Sequence, residues 1–233
     1  LYYKGETKDL KILDSDFDKH NPQQKIDLAF QAEKEVLGKD ERLISVSASY
    51  YDGLNERLMV TSNGFEGDTS ISYYGIHAEV SVKGGDARPE SYWSESAIFY
   101  NALKKKGVGE EALERALRKI GQDKIVSGEL PMIVENRQIG RILGPVISAL
   151  NGSAIQQRNS FLVDRKNEKV FSEIFSLTDD PFIVSGRGSR LFDNEGLATQ
   201  KRPVFEKGVL KNYYVDTYYS KKLEMKPTSG STT

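Results

Sequence analysis

Between Leu43 and Trp93 the chain is written with a period of two. Leu43-Ile44-Ser45-Val46-Ser47-Ala48-Ser49-Tyr50 alternates after Leu43, and Arg57-Leu58-Met59-Val60-Thr61 returns beyond the turn signal Asp52-Gly53. Asn63-Gly64 marks the next turn. Thr69 to Val82 then carries Tyr74, Ile76, Ala78, Val80 and Val82 on one parity, and Ile71, Tyr73, His77, Glu79 and Ser81 on the other. Gly84-Gly85-Asp86 turns the chain toward Ser91-Tyr92-Trp93. Successive side chains of a strand point to opposite faces, and short turns join antiparallel neighbours. The stretch therefore predicts an antiparallel β-meander with one face left for helices to cover.

The flanks supply helices. Asn21 is a good N-cap, and Pro22 sits at the first helical position, where its missing N–H does no harm. Ile26, Ala29, Phe30, Ala32, Val36 and Leu37 recur at helical spacing, and Gly38 is expected to end that helix. Beyond the meander, one helix is expected over Glu95 to Lys105 and a better-marked one over Glu110 to Ile120. The second puts acids first and bases last, as the helix dipole favours.

The polar stretch Gln122 to Leu130 reads as a connector and places a domain boundary. After it come a short strand, Pro131-Met132-Ile133-Val134, and an apolar helix from Asn136 to Asn151-Gly152 that Pro145 should kink or split. Short strands are expected at Ser160–Val163, Lys169–Phe171 and Phe175–Leu177. A hairpin follows, made of Pro203–Phe205 and Val209–Tyr214 around Lys207-Gly208. The expected fold class is α+β. An antiparallel β-meander domain with flanking helices covers 1–127, with a remnant linker at 1–20. A second, mixed α/β domain with short strands and hairpins covers 128–233.

Composition narrows the function. Lys plus Arg total 33 and Asp plus Glu 34, a net charge of −1. Gripping nucleic acid as a whole needs an excess of cations, so that role is disfavoured. Cysteine is absent, which excludes disulfides, zinc ribbons and thiol catalysis. No stretch approaches the ~20 mostly apolar residues that a membrane-spanning helix needs. The chain starts Leu1-Tyr2-Tyr3 without a Met and stops in a Ser/Thr/Gly run, so both ends look cut.

Chemistry-bearing patterns are sparse. His20 and His77 are the only histidines, and neither belongs to a zinc-binding helix motif. No G-x-S-x-G elbow occurs. Gly186-Arg187-Gly188-Ser189-Arg190 could cradle an anion but is an incomplete phosphate motif, and reads better as a loop. Asp179-Asp180-Pro181 and Asp193-Asn194-Glu195-Gly196 could bind a hard cation or do acid–base work, yet each ends in a turn residue. Lys201 to Lys226 interleaves bases with Tyr213, Tyr214, Tyr218 and Tyr219. That pattern suits single-stranded nucleic acid, or the solvated face of a hairpin.

The second half carries an ordered series: Asn159-Ser160-Phe161-Leu162-Val163-Asp164, Ser176-Leu177-Thr178-Asp179-Asp180-Pro181, Phe192-Asp193-Asn194-Glu195-Gly196, Glu206-Lys207-Gly208-Val209-Leu210, Asp216 to Leu223, and Pro227-Thr228-Ser229-Gly230. In that order the series resembles the TldD/PmbA family, proteins called modulators of DNA gyrase and regarded as peptide-processing metalloproteases. The likeness covers Leu130 to Gly230 well. It covers Pro22 to Lys119 more loosely, through Gln31-Ala32-Glu33 and Val60-Thr61-Ser62-Asn63-Gly64. In the family, the TldD type binds zinc through an H-E-x-x-x-H helix and a later cysteine. The PmbA type lacks those ligands and pairs with a TldD-type subunit.

Here the corresponding helix, Gln138 to Gly152, contains no His and no Glu. The resemblance therefore implies a PmbA-type, non-catalytic subunit of a cytoplasmic peptide-processing complex, with the start of a truncated C-terminal metallopeptidase-like domain at 128–233. It implies no cofactor in this chain and zinc in a TldD-type partner, met as a heterodimer (a homodimer being the other arrangement), with unfolded peptide as substrate. Peptide-binding or structural candidates are Ser160, Phe161, Asp179, Asp180, Phe192, Asp193, Glu195 and Gly196. The other readings are a regulatory binding protein of the gyrase-modulator kind and a metal site built from Asp179, Asp180, Asp193 and Glu195.

Overall fold

The computed structural model describes residues 2–5 and 8–228. The chain forms two compact units, one from 11–57 and 69–128 and the other from 1–10, 58–68 and 129–233.

In the first unit, helix α1 (Pro22–Lys34) begins where Asn21 accepts the Gln23 N–H at 2.8 Å. It ends before Gly38, with Glu35 as its C-cap. The Glu35 carboxylate leaves the helix line and accepts the N–H groups of Gly107 and Gly109, each at 2.9 Å. It thereby caps α2 (Val108–Leu117), a helix whose first N–H groups need outside acceptors. Gly109 lies against α1 so closely that a Cβ there would stand 2.1 Å from the Ala32 carbonyl oxygen.

Strands β1 (Leu43–Val60), β2 (Glu66–Val82) and β3 (Glu90–Ala97) form one sheet in the order β1-β2-β3. Pairing of β2 with β3 is antiparallel, from Tyr74 opposite Ala97 to Ser81 opposite Glu90. Tyr74, Ile76, Ala78, Val80 and Val82 are fully buried in one core with Leu28, Ala32 and Val36 of the α1 region and Ala112, Leu113 and Ala116 of α2. The meander with helices on one face is present.

Two local expectations in this unit fail. Asp52-Gly53 does not turn; β1 runs straight through it. Gly53 instead makes room for the ring of Tyr73 on β2, whose hydroxyl lies 2.3 Å from where a Cβ would stand. Gly75 on β2 accepts Tyr51 of β1 in the same way, at 2.2 Å. A ring lying over a glycine is a cross-strand device rather than a turn signal. The chain reverses between β1 and β2 at Asn63-Gly64, where the Thr61 N–H donates to the Phe65 carbonyl at 2.9 Å. The helix expected over Glu95 to Lys105 is absent too. Glu95–Ala97 complete β3, and only Tyr100–Ala102 makes a single 3-10 turn. Pairing with β2 and capture of the Tyr100 N–H by Asp14 at 3.0 Å outweigh the local helix preference.

In the second unit, α3 (Ile139–Ala149) follows a 3-10 turn at Asn136–Gln138 and is continuous through Pro145. The residue before a proline is normally pushed out of helical geometry by its own Cβ; here that residue is Gly144, which has none. After Asn151 a separate short helix, α4 (Gly152–Gln156), begins. Strands β4 (Leu177–Asp179), β5 (Arg202–Glu206) and β6 (Val209–Leu210) form a second antiparallel sheet, ordered β4-β5-β6. The hairpin turns at Lys207 and Gly208, both with positive φ, as a type I′ turn requires. Helix α5 (Thr217–Lys222) follows, capped by Asp216 accepting the Tyr219 N–H at 2.7 Å. Leu150, Leu162, Val204, Phe205, Leu210, Tyr213 and Val215 form the core.

The strands expected at Pro131–Val134 and Ser160–Val163 do not form. Pro131 lacks a ladder donor, and Ile133 beside it is fully exposed. At 160–164 Ser160 and the positive φ of Asp164 fold the backbone into turns. In the stretch expected at Lys169–Phe171 only one bridge is made, from Lys169 to Val209, and the strand expected at 175–177 is shifted to β4.

Candidate functional site

The segment joining α3, α4 and the turn after them encloses an open groove of about 550 Å³. Its lining includes Pro145 and Ser148 of α3, Arg158, Asn159, Ser160 and Phe161. Ser160 builds it: its hydroxyl donates to the Ala149 carbonyl at 2.6 Å and accepts the Leu162 N–H at 3.0 Å. That pair of bonds ties the turn to the end of α3. Leu162 is buried, and its carbonyl accepts the Tyr213 hydroxyl at 2.6 Å, so the turn is fixed from below as well. Phe161, by contrast, points outward with 59% of its surface exposed. Arg158 bridges to Asp164 at 3.0 Å on the surface.

The donors of this groove are hydroxyl, amide and guanidinium groups. Zinc needs imidazole, thiolate or carboxylate ligands, so the side chains on α3 and around the groove do not fit a zinc ion. Among the described residues no group of three or more His, Asp or Glu side chains is arranged to hold a metal. His20 stacks on Tyr100 with ring centroids 3.9 Å apart, and His77 lies against Tyr92 at 5.6 Å, so both serve as aromatic packing in the first unit.

The remaining sequence-derived residues stand in two other settings. Phe192, Asp193, Glu195 and Gly196 share one tight turn. Asp193 is buried, and its Oδ1 accepts the N–H groups of Glu195 at 2.8 Å and Leu197 at 2.9 Å. Phe192 packs edge-on against Phe65 at 5.1 Å. Gly196 has φ +79° and lies where a Cβ would press on the Phe65 ring, so only glycine fits both demands. Glu195 reaches to the start of α5, accepting the Thr217 N–H at 2.9 Å through Oε2 and the Thr217 hydroxyl through Oε1. These carboxylates are engaged in holding backbone.

Asp179 ends β4 and Asp180 follows it. Asp179 pairs with Arg202 at 3.0 Å across to β5, and Asp180 pairs with Lys201 at 2.7 Å. The Lys201 ammonium, and then the Phe182 N–H, hold the Asp180 carboxyl below its ordinary pKa. The glycine-rich loop is also structural, with Ser189 Oγ donating to the Ile183 carbonyl at 2.6 Å. The basic, tyrosine-rich segment splits in the same way. Tyr213 and Tyr214 are buried, while Lys211 lies 3.7 Å from Glu206. Of the motif Pro227-Thr228-Ser229-Gly230, Ser229 and Gly230 lie outside the described residues.

Two three-stranded sheets with flanking helices, in two compact units, make this an α+β chain. Residues 15–120 match the model of the PmbA/TldA metallopeptidase central domain, and 127–232 match that of the C-terminal domain. The chain belongs to the TldD/PmbA family. It is 30% identical over 204 residues to the metalloprotease PmbA homolog of Haemophilus influenzae, covering 87% of this chain and 45% of that protein.

A candidate DNA gyrase modulator from Bacteroides thetaiotaomicron has a solved structure that superposes with a TM-score of 0.96 at 51% identity, covering 99% of this chain and 53% of that one. TldE from Thermococcus kodakarensis shares the fold, with a TM-score of 0.77 at 18% identity over 97% of this chain and 51% of that one. The chain thus spans about half the length of the relatives it matches.

Proposed function

We propose that this chain is part of a PmbA-type, non-catalytic subunit of a cytoplasmic TldD/PmbA zinc metalloprotease complex that processes or degrades unfolded peptides. A TldD-type subunit supplies the zinc and the hydrolytic step, and the assembly is a heterodimer. The observation that supports this reading is the chemistry of α3 and its groove: the polar side chains that line it are Ser148, Arg158, Asn159 and Ser160, none of them a strong zinc ligand. Such a groove suits an extended chain held through polar contacts and the outward Phe161, a sequence-tolerant mode.

The test is reconstitution. The full-length protein is assayed for unfolded-peptide hydrolysis alone and with a TldD-type partner. Turnover only in the mixture supports the reading, and zinc-dependent turnover by the isolated protein contradicts it. A second reading, a regulatory binding protein, draws on the name of the Bacteroides relative. DNA binding that collapses with rising salt would favour it, and binding at no salt concentration would dismiss it.

A further inference from the structure

The buried stripe of β2 decides which face of the sheet lies under the helices, but not how far β1 slides along it. A slip of one residue would turn Tyr74, Ile76, Ala78, Val80 and Val82 out of the core, whereas a slip of two keeps every side chain on its own face. The sequence of β1 does little to resist the second kind. Ser45, Ser47 and Ser49 repeat along its open face, and Val46, Ala48 and Tyr50 along its covered one. The tyrosine–glycine pairs do resist it. Tyr51 of β1 covers Gly75 of β2 and Tyr73 of β2 covers Gly53 of β1, so the two rings cross the strand pair in opposite directions. Any Cβ at Gly53 or Gly75 would collide with the ring above it. Both pairs are centred on Asn63, as is the bond from the Thr61 N–H to the Phe65 carbonyl that closes the hairpin. A register two residues away in either direction gives neither ring a glycine: one sets Tyr51 against Tyr73, the other sets it against His77.

The register matters beyond the sheet. The strands run on to the tip of the hairpin, residues 58–68, which folds as part of the C-terminal unit. There Phe65 is buried and packs edge-on to Phe192 at 5.1 Å. Its seat is cut to size: a Cβ at Gly67 would stand 2.7 Å from its ring, and one at Gly196 2.6 Å. A slip of two residues moves a side chain about 6–7 Å along the partner strand, further than such a seat tolerates. We propose that the crossed tyrosine–glycine pairs are a register lock, which sets β1 against β2 and thereby seats Phe65 beside the Phe192–Gly196 turn. The pairs stand in one unit and the seat in the other, so the strands themselves carry the effect.

The test uses the full-length protein and reads two quantities. One is the urea midpoint of unfolding. The other is amide hydrogen exchange at Glu195 and Leu197, whose N–H groups Asp193 holds in the turn beside Phe65. Tyr51→Gly, which leaves two glycines face to face, is expected to lower the midpoint and to speed that exchange at least about threefold. Adding Gly75→Tyr moves the ring to the opposite strand in the same register, and is expected to return the exchange to within about twofold of the parent. A composition-matched variant, Tyr51→Gly with Ser49→Tyr, places the ring two residues off and should not be rescued. The reciprocal swap at the other pair, Tyr73→Gly with Gly53→Tyr, puts the new ring on the edge strand and should behave as the first swap does. Parent-like exchange at Glu195 and Leu197 in Tyr51→Gly overturns the link to the seat. If neither swap improves on its single variant, failure to fold included, the lock is overturned. Rescue by Ser49→Tyr as complete as by Gly75→Tyr overturns it too, because ring area rather than register would then be what counts.

Discussion

Single residues fix the close approaches on which both units depend. Gly109 is the tightest case: its missing Cβ is what lets α2 start against the Ala32 carbonyl, 2.1 Å from the position a methyl would take. Backbone cannot yield as a flexible side chain can. Gly109→Ala is therefore expected to cost about 1–3 kcal/mol, read as a lower midpoint in chemical unfolding. Gly128→Ala, where a Cβ meets open space, is expected to be neutral or slightly stabilising in the same measurement.

Asp14 makes a different kind of demand. Burial alone would raise its pKa, but the N–H groups of Tyr100 and Asp16 outweigh that and hold the carboxyl below its ordinary 3.8. A carboxyl depressed in the folded state adds stability above its unfolded pKa and loses it as the pH falls through the folded value. Asp14→Asn should therefore be less stable than the parent at pH 7. The gap should narrow as the pH falls below the ordinary carboxylate value and through the depressed one, as pH-dependent unfolding curves of the two proteins would record.

At the scale of elements, the caps decide where helices begin. Glu35 closes α2 and Glu195 closes α5, each from a distant part of the sequence. Removing the second, Glu195→Ala, is expected to cost about 0.5–2 kcal/mol, as for loss of a cap, and to speed hydrogen exchange in the first turn of α5 more than in β5. Local signals did identify α1, whose Asn21 cap and Pro22 lie next to each other, and the Lys207-Gly208 hairpin, because turn chemistry is local.

They misled where the deciding contact is distant. Gly53 reads as a turn until Tyr73 is placed over it, and Glu95 to Lys105 reads as a helix until β2 claims Glu95 and Ala97. The same limit applies to the site. Paired acids such as Asp193 and Glu195 are visible in sequence, but that one bonds its own turn and the other caps α5 is information held by Leu197 and Thr217. Arg202 was legible only as one base among many. Its burial beside Asp179 sets it apart.

For the whole molecule, the proposed function is a division of labour between two subunits. The chain carries the family's central and C-terminal domain patterns over 15–120 and 127–232, and its groove beside α3 presents hydroxyl, amide and guanidinium groups. Those groups are poor ligands for zinc. The most direct measurement is metal analysis of the purified full-length protein after zinc loading and desalting, paired with a peptide-hydrolysis assay on the same sample. The account predicts zinc well below one ion per chain and no turnover until a TldD-type subunit is added. One zinc ion per chain together with chelator-sensitive hydrolysis by the protein alone would contradict it.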